Sequence, residues 1–349
     1  MTRRLTTAIL LLAALTVQAQ QKAFVIQGTM PLPDGYNVGL CCHTDTAYAA
    51  MVAESWMKDG RFVLQGSIDK PYQGTLMTNN LQMVEQNHWP TDSIHWTYTE
   101  VFVTPDTLQF SVSSFHDDKT ETLYALTGTQ TQADYNDWLR SGAADPWAFI
   151  DGHPASVVTT WLACQLTDRA YNLTAEQTAR LEQTVKGSPA DPQRFALYQQ
   201  KLTAAKKTVK NAPLTDLELT DTKGTVCRLV DVVPRNGKYT LIDFWASWCG
   251  ICLHAMPDIS AMAAQYKDVF GVIAVSIDTK ADAWHRAMEK NPEPWPQYCT
   301  TAAGYKDLFT KYQVGNGVPY YLLLSPDGRV IGSPSGPEEI REFLENLNQ

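Results

Sequence analysis

Tyr239-Thr240-Leu241-Ile242-Asp243-Phe244-Trp245-Ala246-Ser247-Trp248-Cys249-Gly250-Ile251-Cys252-Leu253-His254-Ala255-Met256-Pro257 is the stretch on which the fold turns. An apolar run of strand length carrying one acid, Asp243, leads into a short turn. Two cysteines three apart follow, and then a sequence that can continue as helix. The order predicts strand, turn, helix. A cysteine in the first helical turn faces unpaired backbone N–H groups and the positive end of the helix dipole, which favour its thiolate. Cys249 is therefore the candidate nucleophile. Cys252, one turn further on the same face, can attack a mixed disulfide on Cys249 and is the candidate resolving thiol. Asp243 lies six residues before Cys249, in a run fit for a buried strand, where an isolated carboxylate is costly to ionise. A buried acid near the resolving cysteine would suit proton exchange with it. The alternative is an edge-strand Asp facing water, which the apolar neighbours Leu241, Ile242, Phe244 and Trp245 disfavour.

Other meanings of Cys-x-x-Cys fit less well. A structural zinc site needs four ligands, and no second Cys-x-x-Cys or Cys/His pair follows. His254 stands alone and reads as a solvated helix residue. A peroxiredoxin would want a single cysteine in a Pro-x-x-x-Thr-x-x-Cys context, whereas Ala-Ser-Trp precedes Cys249. Downstream, Gly317-Val318-Pro319 precedes the strand-like Tyr320-Tyr321-Leu322-Leu323-Leu324 and the turn Pro326-Asp327-Gly328. With Trp-Cys-x-x-Cys at 248–252 and the proline five residues after the second cysteine, the chain resembles the thioredoxin superfamily. That resemblance implies a cis Pro319 facing the cysteines, a Val318 backbone that pairs with an extended substrate segment, and Trp248 shaping the substrate site. A trans proline in a plain turn is the alternative at this point.

Residues 1–19 carry Arg3 and Arg4, an apolar stretch from Ala8 to Val17 too short for a membrane span, and Val17-Gln18-Ala19 at the cut. They read as a cleaved secretory signal peptide, so a periplasmic location is expected. The chain has 28 Lys and Arg against 37 Asp and Glu, a net charge of −9; without Arg3 and Arg4, 26 against 37 leaves −11. An acidic surface without basic clusters argues against nucleic acid or anionic membrane as partners. A length of 349 residues predicts two or three domains.

Residues 20–128 show short alternating segments between turns: Ala23–Gly28, Arg61–Gly66, Thr75–Thr78, Thr97–Val103, Leu108–Ser111 and Thr122–Gly128. This is a β-sandwich or barrel pattern. The cluster His88, Trp89, His95, Trp96 and Tyr98 fits core or strand-pair packing better than a binding face. Neither histidine has a partner at metal-site spacing, so no metal is assigned. Residues 129–212 change to helical period, with Val157, Val158, Trp161, Leu162 and Leu166 on one repeat and a capped start at Leu173-Thr174-Ala175-Glu176-Gln177. They form a helical connector to a redox domain at 213–349.

The whole order is similar to exported thioredoxin-like proteins, best known in Bacteroidetes, with an N-terminal β domain of unassigned function, a helical linker and a C-terminal domain akin to TlpA and ResA. The leading hairpin Leu217–Val230 and the segment after Ser276-Ile277-Asp278 with Trp284 and Trp295 support it. The departures are Gly250-Ile251 between the cysteines, where Gly-Pro is common, and Ala255, where the group often has Glu. The absence of a histidine between the cysteines leans towards a reductant. The resemblance implies a protein-disulfide oxidoreductase needing no cofactor, acting on disulfide-containing proteins and fed by an upstream thiol reductant, with one held in the membrane as a candidate; no nucleotide-binding fingerprint is present. Two other readings stay open: a binding or scaffolding protein with an accessory redox domain, and a thiol peroxidase. Of the remaining five cysteines, Cys41, Cys42, Cys164, Cys227 and Cys299, buried free thiols are the default, with a Cys227–Cys299 bridge as the alternative.

Overall fold

The computed structural model describes residues 21–42, 50–112, 124–312 and 317–347. The leader expected over 1–19 lies outside them. The chain divides into two compact units, 1–143 and 144–349.

In the first unit the strands are β1 (Lys22–Thr29), β2 (Asn37–Cys42), β3 (Ala50–Trp56), β4 (Arg61–Ile68), β5 (Tyr72–Asn79), β6 (Trp96–Val103), β7 (Thr107–Val112) and β8 (Tyr124–Thr127). Helix α1 (Leu81–Asn87) follows β5, and α2 (Gln130–Arg140) follows β8. The strands make two four-stranded sheets, ordered β4-β1-β7-β8 and β3-β2-β5-β6. Alternation in sequence decides which face turns inward. In β4, Arg61, Val63 and Gln65 are exposed while Phe62 and Leu64 are buried. Those inward residues join Phe24, Ile26, Val38, Leu40, Val101 and Leu108 in one core between the sheets. On the outer face of the second sheet, Tyr135 of α2 packs on Phe102, ring centroids 5.4 Å apart, and donates to Glu100 at 3.1 Å. Trp96 and Tyr98 remain exposed on that face.

The second unit opens with α3 (Pro146–Gly152), α4 (Val157–Leu166), α5 (Ala175–Thr184) and α6 (Pro192–Ala205). The capped start expected for α5 is present, and takes the form of a reciprocal capping box between Thr174 and Gln177. Then come β9 (Glu218–Asp221), β10 (Val226–Arg228), α7 (Leu229–Val232), β11 (Tyr239–Trp245), α8 (Gly250–Gln265), β12 (Phe270–Ser276), α9 (Ala281–Lys290), β13 (Gln297–Thr300), α10 (Ala302–Lys311), β14 (Tyr320–Leu324), β15 (Val330–Gly332) and α11 (Pro337–Asn346). Seven strands form one sheet, ordered β10-β9-β13-β12-β11-β14-β15. β11 pairs in parallel with β12 and antiparallel with β14. Covered on both faces, these central strands read as continuous apolar runs rather than alternating ones.

The helical segment is bonded to this sheet. Tyr171 lies in the same core as β11 and β14, and its hydroxyl donates to Thr215 Oγ1 at 2.7 Å. The Tyr320 hydroxyl donates to the Ala170 carbonyl at 3.0 Å. Ring contacts run from Tyr171 to Tyr312, Phe244 and Tyr320, at 6.0, 5.8 and 5.7 Å in turn.

Cys227 and Cys299 are free thiols on β10 and β13, the two strands flanking β9. Two strand spacings, about 9.5 Å, exceed disulfide reach, so the alternative of a bridge between them is not met. Against β9 itself, α10 packs so closely that a Cβ at Gly304 would stand 2.0 Å from the Glu218 carbonyl oxygen. Gly304→Ala is expected to push helix and strand apart and cost about 1–3 kcal/mol. A urea titration would register this as a lower midpoint with an unchanged slope.

Candidate active site

Parallel strands deliver their C-terminal ends to one edge of a sheet, where the loops that follow them meet. Trp245 and Ser276, the last residues of β11 and β12, are register partners. Just beyond them, Asp278 is buried, and its carboxylate accepts three hydrogen bonds: from the Ser247 N–H at 2.8 Å, the Ser247 hydroxyl at 2.7 Å and the Ser276 hydroxyl at 2.7 Å. These bonds hold the turn that carries Trp248 and Cys249.

Cys249 is the N-cap of α8 and forms a disulfide with Cys252, their Cα atoms 5.3 Å apart. The Cys252 N–H donates to Cys249 Sγ at 3.2 Å. This is one of the orphan donors of a helix start, placed where it would stabilise a Cys249 thiolate once the disulfide is reduced. Both sulfur-bearing residues are sheltered, Cys249 at 7 % and Cys252 at 1 % exposure, whereas Trp248 and Ile251 are 65 % and 73 % exposed. The loop before β14 closes the other side: the Val318–Pro319 peptide is cis, and the Val318 carbonyl oxygen lies 3.5 Å from Cys249 Sγ. Pro257 sits inside α8, where it removes one helical hydrogen bond. His254 is exposed.

Asp243 lies within the sheet, 1 % exposed, with no hydrogen-bond partner for its Oδ1. Its cross-strand neighbours are Ala274 on β12 and Tyr321 on β14, so no cation faces it from either side. Burial pushes its carboxyl up to about 7, and the charge of Glu293 adds to the effect. Burial raises the Glu293 carboxyl as well, and a side-chain hydrogen bond with Ser260 of α8 opposes that rise.

Against this geometry, residues 236–330 match the family model described as thioredoxin-like. The domain is thioredoxin-like. ResA of Bacillus cereus, a thiol-disulfide oxidoreductase, is 29% identical over 157 residues, 44% of this chain and 86% of that protein. A chloroplast thioredoxin-like protein of Arabidopsis thaliana is 24% identical over 113 residues, 32% of this chain and 34% of the relative. The chain thus spans about a third of the length of that plant relative. A thiol-disulfide oxidoreductase of solved structure from Bacteroides fragilis is 26% identical over 39% of this chain and 99% of its own, with a TM-score of 0.34.

Within the thioredoxin-like domain the structure brings Cys249, Cys252, Val318 and Pro319 together, sets Trp248 at the rim and Asp243 in the sheet. Three further residues shape the site without having been singled out in the sequence. Asp278 had a signal, an acid just past a parallel strand at the sheet edge where sites form. Tyr321, 1 % exposed and with an unpartnered hydroxyl, had a weaker one, a phenol in an aliphatic run. Glu293 had none, because nothing in the sequence relates it to Asp243, whose carboxyl its charge helps to raise.

The raised Asp243 carboxyl fixes a sign for stability against pH. An ordinary aspartate ionises near 3.8, whereas this one keeps its proton to about 7, so between those values the folded protein binds one more proton than the unfolded chain. Stability should therefore fall by about 1.4 kcal/mol per pH unit across that window and level off above it. In Asp243→Asn this component should vanish, measured as denaturant midpoints from pH 4 to 8.

Proposed function

We propose that the chain is an exported thiol:disulfide oxidoreductase that reduces protein disulfides through Cys249 and Cys252. The observation carrying this reading is a sheltered Cys-x-x-Cys pair at a helix start, with the Val318 carbonyl 3.5 Å from the sulfur of Cys249. The leader read at residues 1–19 supports export to the periplasm.

In the reduced state the Cys249 thiolate attacks one sulfur of a substrate disulfide, and the other leaves as a thiolate that takes a proton. Cys252 then loses its proton to Asp243 and attacks Cys249, which releases the second substrate thiol and leaves the Cys249–Cys252 disulfide. A carboxyl titrating near 7 is matched to that transfer at neutral pH. The exposed Trp248 and Ile251 give a substrate segment an apolar rim, and the Val318 backbone offers it hydrogen bonds. Two electrons must return from an upstream thiol donor, for which a reductant held in the membrane is one candidate.

Cys249→Ser should abolish disulfide reduction, assayed with insulin and a dithiol donor. Cys252→Ser should instead trap a mixed disulfide on Cys249, visible by mass spectrometry. Turnover by Cys249→Ser at the unmutated rate would refute the mechanism. For the proton transfer, the resolution step of the unmutated protein should speed up as pH rises through about 7. Asp243→Asn should lose this rise and slow the step by about 100-fold, followed by stopped-flow release of the second thiol.

A further inference from the structure

The outer face of the sheet β3-β2-β5-β6 carries sulfur. Cys41 of β2 pairs with Met51 of β3. Gly39, two residues earlier on the same face of β2, pairs with Met77 of β5. The Sγ of Cys41 is 4.0 Å from the Sδ of Met51. A Cβ placed on Gly39 would lie 3.2 Å from Met51 Sδ and 3.4 Å from Met77 Cγ. Side chains from the two strands flanking β2 therefore lean over Gly39. Gly39 has no positive φ, so its backbone does not require glycine. What the missing side chain provides is space for the Met51 thioether.

Core packing does not account for this cluster. Met51 is 52 % exposed, and Tyr98, the β6 neighbour of Met77, is 59 % exposed. A thiol and two thioethers are thus gathered on a solvent-facing surface, contributed by three strands. Among the described residues no group of three His, Cys, Asp or Glu is placed to hold a metal, so hard-ligand sites have no counterpart here. Thiolate and thioether ligands select cuprous copper over harder divalent ions. Two sulfurs bound to one ion at about 2.3 Å each, the zinc–thiolate length, stand about 4.0 Å apart when the angle between them is about 120°. The Cys41–Met51 spacing therefore matches two ligands of a trigonal ion, and Met77, whose Cγ lies beside Gly39 on the same face, is the candidate for the third.

We propose that Cys41, Met51 and Met77 form a binding site for a single Cu(I) ion. On binding, the Cys41 thiol gives its proton to water and its sulfur bonds the metal. The two thioethers donate as neutral ligands, and the copper does not change oxidation state. The three ligands lie at sequence separations of 10 and 26 residues, so no spacing motif announces the site; it exists only once β2 lies between β3 and β5.

The test uses the full chain as Cys249→Ser/Cys252→Ser, so that the dithiol cannot compete, titrated anaerobically with Cu(I) against the chelator bicinchoninate. The protein should withdraw one equivalent of copper. Met51→Leu and Met77→Leu, half-exposed or partly buried positions where leucine preserves size, should each weaken binding by at least about tenfold. As an independent readout, one equivalent of Cu(I) should block alkylation of Cys41 by iodoacetamide, mapped by mass spectrometry, and Met51→Leu should restore it. Failure to draw copper from bicinchoninate, or affinity and Cys41 protection unchanged by both methionine substitutions, would overturn the proposal.

Discussion

Three donors converge on the carboxylate of Asp278, and the reactive turn depends on them. Ser247 is held through both its N–H and its hydroxyl, and Ser276 through its hydroxyl, so the end of β12 and the loop after β11 are tied at one point. Burying a carboxylate is costly unless hydrogen bonds replace its water, and here they do. Once Ser247 is fixed, Cys249 follows two residues later as the N-cap of α8. Its sulfur then sits where the helix offers an unsatisfied N–H and the Val318 loop closes over it.

Asp278 bonds this turn from just past β12 while Asp243 lies buried in β11 just ahead of it, and the protein treats the two acids in opposite ways. Asp278 is filled with donors and works as a fastener. Asp243 is flanked by Ala274 and Tyr321 and has an Oδ1 without a partner. An acid left unsatisfied in the sheet is poised to hold or release a proton as its surroundings change. Residue type alone does not distinguish the two roles; the supply of hydrogen-bond donors does.

The redox half of the fold was legible because its signals are local. A continuous apolar run, a turn, two cysteines three apart and a later proline before a second apolar run name the strand, the helix start and the facing loop within short windows. The N-terminal sheets were read only in part. β2 and β3 were not among the strands expected from alternation, since β2 is buried at nearly every position and contains Gly39 and adjacent cysteines. The expected signal peptide and the first part of the Thr122–Gly128 segment fall outside the described residues. Glu293 could not be recognised beforehand, because it acquires its role only through its charge on Asp243, far away in sequence. The adjacent cysteines Cys41 and Cys42 point to opposite faces of β2, as strand geometry requires; burial pushes the inner thiol of Cys42 up to about 12.

The shelter around the dithiol has a kinetic meaning. In the disulfide form Cys249 is exposed over only 7 % of its surface; if it acts as proposed, it would admit a disulfide only when that disulfide protrudes on a segment extended enough to enter. Disulfides locked inside compact domains would thereby be excluded by geometry before any difference in redox driving force is consulted. The protein would discriminate by how far a partner's chain can reach, and thus by how loosely folded that partner is.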